Sequence, residues 1–123
     1  MHIRGVRGAT TVEENTAGAI LQATRELLHE MAEANNVEPD EIAASLFTTT
    51  PDLNATFPAE AARQLQWANV PLMSATEIPV RGALPMCIRI LILWNTPRSQ
   101  EEVVHIYVRG ATVLRPDVKA RRG

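Results

Sequence analysis

The segment Met86–Trp94, reading MCIRILILW, constrains this chain more than any other. Every residue in it is apolar except Arg89. Its length and its isoleucines suit a strand. Alternation places Cys87, Arg89, Leu91 and Leu93 on one face, and Ile88, Ile90, Ile92 and Trp94 on the other. A strand apolar on both faces reads as one covered on both sides by other layers. An unpaired guanidinium in such a place would cost several kcal/mol, on the order of the effective penalty for burying an ion. Arg89 therefore calls for a partner, either a protein carboxylate or an oxygen of a bound ligand. From pattern alone the structural ion pair is the commoner answer.

The rest of the chain supplies a sheet and helices around that strand. His2–Gly8 reads as a strand whose glycines suggest close approach of a backbone or ligand, with Ile3, Gly5 and Arg7 on one face. Thr10, Thr11, Asn15 and Thr16 are all candidate N-caps for a long helix that runs to Asn35. Its buried stripe is Ile20, Thr24, Leu27, Met31 and Ala34, widened by Ala23 and Leu28. Pro39 opens a short helical turn to Ala44, and Ser45–Thr50 follows as a strand that Pro51-Asp52 ends. Pro58 is placed to start a second helix, Pro58–Gln66, with Glu60 near its positive end. Val70–Met73 and Val103–Val108 read as further strands, with a turn-rich connector around Gly82. No repeat or linker divides the 123 residues, so one domain over 1–123 is expected.

Composition narrows the function classes. An apolar share of 46% with 21% charged residues fits a globular chain. Aromatics make up only 4%, so aliphatic side chains must build the core. A net charge of −2 argues against nucleic-acid binding, which favours a basic face with interleaved aromatics. The lone cysteine, Cys87, allows neither an intrachain disulfide nor a cysteine-based metal site. No apolar stretch is long enough to span a bilayer, and the N-terminus lacks the form of a signal peptide, so a cytoplasmic location and no membrane partner are expected.

Familiar catalytic motifs are missing. The sequence has no G-x-G-x-x-G, no Walker-type loop, no H-E-x-x-H pair among His2, His29 and His105, and no G-x-S-x-G elbow. An enzyme built this way is expected to work without cofactor, metal or covalent nucleophile. What remains is Arg89, Arg7 on the first strand, Tyr107 on the last, Glu77, Arg63 and Arg115. Each has an ordinary reading taken singly: a core phenol, a solvated arginine, a loop carboxylate. Together they suit a small dicarboxylate that also carries a hydroxyl, but periodicity does not show that they converge.

The opening Ile3-Arg4-Gly5-Val6-Arg7-Gly8-Ala9-Thr10-Thr11-Val12-Glu13 resembles the N-terminal signature of the monofunctional, AroH-class chorismate mutases. The resemblance continues in order through Thr50-Pro51-Asp52-Leu53, Phe57-Pro58-Ala59-Glu60-Ala61-Ala62-Arg63, Glu77 with Val80 and Gly82, Cys87-Ile88-Arg89, His105-Ile106-Tyr107 and Leu114-Arg115-Pro116-Asp117. Each tetrapeptide is weak alone; the ordered set is specific. It implies an α/β fold, a single-domain pseudo-α/β-barrel with a mixed sheet packed against one long and one short helix. It also implies a homotrimer with active sites between subunits, and conversion of chorismate to prephenate.

Carried over by position, the resemblance puts Arg89 beside the ether oxygen of the breaking bond and a substrate carboxylate. Arg7 and Tyr107 would hold the enolpyruvyl carboxylate, and Glu77 would accept from the ring hydroxyl. Phe57, Ala59, Arg63, Met73, Ser74, Ala75 and Thr76 would line the cleft. Leu114 and Arg115 would belong to a mobile tail, residues 110–123. The chain departs from some relatives at Glu60, where they carry Lys, at Ser74, where they carry Cys, and at Val104, where a basic residue is frequent. Rival expectations are a non-catalytic trimer that binds a small acid, a structural trimer with Arg89 in a buried ion pair, and an imine-hydrolysing deaminase of related architecture.

Overall fold

The computed structural model describes residues 1–114. Five strands run along the chain: β1 (His2–Thr11), β2 (Ile42–Thr49), β3 (Leu72–Thr76), β4 (Cys87–Thr96) and β5 (Ile106–Tyr107). They form one sheet in the order β3-β2-β4-β1-β5. The central strand β4 is antiparallel to both neighbours, β1 and β2, while β3 runs parallel to β2 and β5 parallel to β1. The sheet is therefore mixed.

Helix α1 (Ala17–Asn35) covers one face of this sheet. Of the four candidate caps, Thr16 starts it: its extended backbone and its Oγ1, which accepts from the Ala19 N–H at 3.2 Å, satisfy one of the open N-terminal donors. Thr10 and Thr11 are spent as β1 residues instead. Asn36 ends the helix in the left-handed region at φ 59°, returning its N–H to the carbonyls of Ala32 and Glu33. Ile20, Ala23, Thr24, Leu27, Leu28, Met31 and Asn35 are buried, and burial of each large aliphatic removes about 1.5–3 kcal/mol of unfavourable hydration. Opposite them lie Val6, Phe47, Ile88, Ile90, Ile92, Trp94 and Ile106 of the strands.

Gly8 makes the close contact between the layers possible. A Cβ at that position would stand 2.4 Å from Met31 Sδ. Where the sequence suggested a backbone or a ligand close to this glycine, the close neighbours are the Met31 and Leu27 side chains of the helix.

Several elements are shorter or shifted relative to their sequence pattern. The turn after Pro39 closes as a 3-10 segment, Pro39–Glu41, through reciprocal bonds between Glu38 and Glu41, so β2 begins at Ile42 rather than Ser45. The second helix, α2, is a single turn, Glu60–Gln64, because Gln66 takes φ 67° and ends it. Strand β3 starts after Pro71 and extends to Thr76. The expected strand Val103–Val108 shrinks to Ile106–Tyr107. The Asn35 side chain engages both the N–H and the carbonyl of Val104, removing that residue from any ladder, and Arg109 at φ 52° turns the chain into a 3-10 segment, Arg109–Leu114.

The largest correction concerns β4. Only its even-numbered face is covered by α1; along the other, Arg89 and Leu93 are exposed and Leu91 is half-buried. Towards β5 that face is covered, where Ala9 and Tyr107 are buried with Ala111 of the Arg109–Leu114 segment; among the described residues no second layer lies over its Arg89, Leu91 and Leu93 part. Ile3 and Met73, on the same face, are 58% and 68% exposed.

Candidate active site

Register decides which side chains meet on the open face. Thr48 pairs with Arg89, Arg89 with Ala9, Ala9 with Tyr107, and Thr48 with Ala75. Paired residues project from the same face, so Ala75, Thr48, Arg89, Ala9 and Tyr107 form one row across the whole sheet. The next row holds Met73, Leu46, Leu91 and Arg7. The small side chain of Ala9 leaves a depression between larger neighbours. The result is a hollow of about 170 Å³ bordered by Arg7, Leu46, Thr48, Glu77, Arg89 and Tyr107. Four residues singled out from the sequence, Arg7, Glu77, Arg89 and Tyr107, thus come together.

Arg89 is not the buried ion that its strand suggested. Its side chain is 50% exposed, and the nearest acid is Glu77, whose Oε2 lies 3.8 Å from Arg89 Nε. That separation is longer than a charge-assisted hydrogen bond, so this is a loose, solvated pair worth about 0–1 kcal/mol. Both partners proposed for Arg89 point to the same place, because its carboxylate neighbour is itself a member of the site. Glu77 is held more firmly. Its backbone N–H donates to the Thr49 carbonyl at 2.8 Å, one step beyond the end of β3, and its Oε2 accepts from the Thr48 hydroxyl.

Tyr107 is buried, with Ala9 and Ala111 packed around it and Leu84 and Leu114 at the margin. Arg7 is exposed, and its backbone N–H donates to His105 Nδ1 at 3.0 Å, which ties β1 to the approach of β5. Beside the site, burial pushes the Cys87 thiol up from its ordinary 9.0, while the Arg89 guanidinium pulls the other way. Two guanidinium groups, a carboxylate and a phenol can bind an anion with a hydroxyl. No group of three or more His, Cys, Asp or Glu side chains gathers as a metal site would require among the described residues.

The remaining sequence-predicted residues do not border this hollow. Phe57, Ser74, Ala75 and Thr76 border a separate hollow of about 370 Å³ at the β3 edge. Met73 borders an apolar hollow of about 260 Å³ with Leu46, Leu91 and Leu93. Ala59 is 2% exposed and belongs to the core beneath the Phe57 turn. Arg63 is exposed and paired with Glu60 at 2.8 Å. Leu114 packs against the Tyr107 cluster, and Arg115 lies outside the described residues. Sequence reasoning passed over Leu46 and Thr48, whose place beside Leu91 and Arg89 depends on register rather than on any motif.

Comparison with known proteins adds to this geometry. The family described as chorismate mutase type I matches residues 3–118. A protein of Thermus thermophilus named chorismate mutase AroH is 56% identical over 96% of this chain and 98% of its own length. Its namesake from Bacillus subtilis is 44% identical over 96% of this chain and 94% of its own length. A solved chorismate mutase from Clostridium thermocellum superposes with a TM-score of 0.87 at 47% identity, covering 89% of this chain and 97% of that one. Matching it over nearly the whole length in sequence and its solved member in fold, this chain belongs to the type I chorismate mutase family.

Proposed function

We propose that the chain converts chorismate to prephenate, a step of phenylalanine and tyrosine biosynthesis, by a [3,3] rearrangement within one molecule. The observation that carries this reading is the convergence of Arg7, Glu77, Arg89 and Tyr107 in one hollow on the open face of the sheet. The rearrangement needs no nucleophile, acid or base. Two effects are left to the protein. It holds the substrate in its compact form so that the reacting carbons meet. It also presents fixed positive charge where negative charge grows, on the ether oxygen as its bond to the ring carbon stretches.

In this reading Arg89 faces that oxygen, since a guanidinium stays charged and directs several N–H groups. Arg7 and Tyr107 hold the carboxylate of the enolpyruvyl group, and Glu77 accepts from the ring hydroxyl. Phe57, Arg63, Met73, Ser74, Ala75 and Thr76 line the opposite wall, with Ala59 supporting it, and Leu114 stands at the margin beside Tyr107.

The same reading includes a homotrimer whose sheets form a pseudo-α/β-barrel, with each cleft shared by two subunits. The open sheet face supports it. Ile3, Met73 and Leu93 are all exposed on that face, and the loop after β3 projects Ile78 and Val80 into solvent. A one-sided sheet with such a face gains from a second layer, which another copy can supply. The separation of the two predicted residue groups into different hollows of one chain has the same explanation: one group of one subunit meets the other group of its neighbour.

The test follows the purified protein with chorismate by absorbance and identifies prephenate as product, with sedimentation to count subunits. Turnover by a trimer is expected. Saturable binding of chorismate without prephenate formation would make the protein a binding module and overturn the catalytic reading.

A further inference from the structure

One hydroxyl in the hollow has no part in the roles above. Thr48 projects from β2 in the same row as Arg89, with which it is paired across the β2–β4 ladder. On its other side runs β3, and Glu77 follows one residue after that strand ends. Thr48 therefore stands between the carboxylate and the guanidinium. Its hydroxyl donates to Glu77 Oε2, the same oxygen that lies 3.8 Å from Arg89 Nε.

We propose that Thr48 is a positioning residue: its hydroxyl holds the Glu77 carboxylate and keeps it from closing onto Arg89. This rests on the mutase reading above. A carboxylate and a guanidinium in direct contact sit at about 2.7–2.9 Å, so the Glu77–Arg89 pair is left roughly 1 Å open. The backbone of Glu77 is already fixed to β2 through Thr49, so only its side chain is free to turn. Without the Thr48 hydroxyl the nearest donor to Glu77 is the guanidinium, and the two would close into a forked pair. Arg89 would then spend on Glu77 the donors that the breaking ether bond requires, and Glu77 would turn away from the ring hydroxyl. With the hydroxyl in place, both groups stay directed at the substrate.

The test is a double-mutant cycle on the intact protein with chorismate: parent, Thr48→Val, Thr48→Ser, Glu77→Gln, and Thr48→Val with Glu77→Gln. Valine keeps the shape and the strand preference but removes the donor. Loss of a hydrogen bond to a charged group predicts that Thr48→Val lowers kcat by about tenfold or more. Thr48→Ser keeps the donor and is expected within about twofold of the parent. In the Glu77→Gln background the valine substitution is expected to cost little further, because the group it acts through no longer carries the charge. A merely structural role would lower kcat equally in both backgrounds, which overturns the proposal, as would parent-like kcat for Thr48→Val or equal losses for Val and Ser. A parent that does not turn over chorismate sinks the mutase reading and this proposal with it; a parent that does, with an unaffected Thr48→Val, sinks the proposal alone.

Discussion

Gly8→Ala should destabilise the fold, and the size of the effect follows from the contact between α1 and β1. The added Cβ would lie 2.4 Å from Met31 Sδ, 3.0 Å from Met31 Cγ and 3.1 Å from Leu27 Cδ1. Ordinary contact is about 3.5–4.0 Å, so the thioether must retreat by roughly 1 Å or more. Met31 and Leu27 are both fully buried, so neither side chain has solvent to move into. Overpacking of this kind costs about 1–3 kcal/mol, and methionine's flexibility places it towards the lower end. Alanine recovers about 0.5–1 kcal/mol by restricting the unfolded chain in a strand interior. A net loss of about 0.5–1.5 kcal/mol remains, or roughly 2–6 °C in Tm for a domain of this size. Differential scanning fluorimetry at fixed protein concentration measures it, since association makes Tm concentration-dependent. The mechanism is checked by Met31→Ala, which makes room: in that background the Gly8→Ala penalty should vanish, a coupling of about 0.5–1.5 kcal/mol. A Gly8→Ala protein as stable as the parent, or an equal penalty without the Met31 thioether, would refute the packing account.

Arg89→Ala is expected to lower kcat for chorismate by about 10²–10³, or roughly 2.7–4 kcal/mol, the effect of losing one preorganised donor to a developing oxyanion; steady-state assays showing an unchanged kcat would remove Arg89 from the chemistry. Leu93→Asp puts a carboxylate at the middle of the open face. If that face is covered by another copy, the cost of an uncompensated buried charge, about 3–5 kcal/mol, should weaken assembly by about 10²–10⁴ and reduce activity at low concentration; a variant that sediments as the parent does would show the face to be free. Burial holds the Cys87 thiol above its ordinary 9.0. The folded state therefore binds this proton more tightly than the unfolded state does. Its stabilising effect is complete below 9.0 and is lost as pH rises through the folded value. Urea midpoints should accordingly fall more steeply above that pH for the parent than for Cys87→Ala, and parallel curves would contradict the assignment.

The strongest periodic signals survived translation into structure. The helix from the Thr16 cap to Asn35 and the central strand around Ile90 were legible because a sustained period of about 3.6 or 2 leaves few alternatives. Short elements were not. The last strand lost its first residues to the Asn35 side chain, which lies far away in sequence, and the second helix stopped where Gln66 turned left-handed. Neither event has a local signature. Likewise, Thr48 read as one threonine among several; only its partner across the ladder makes it a neighbour of Arg89.

By itself, the sequence determined an α/β fold built on an aliphatic strand with a single arginine, and its ordered motifs identified the family. These follow from local periodicity and from residue identity, which need no third dimension. The tertiary structure decided what surrounds Arg89. An apolar face says only that water is to be excluded, not what excludes it. In this chain α1 covers one face of β4 and leaves the other open, so the arginine stands half-exposed beside a loosely placed carboxylate. Register, set by hydrogen bonds between strands distant in sequence, brought Arg7, Glu77, Arg89 and Tyr107 into one hollow.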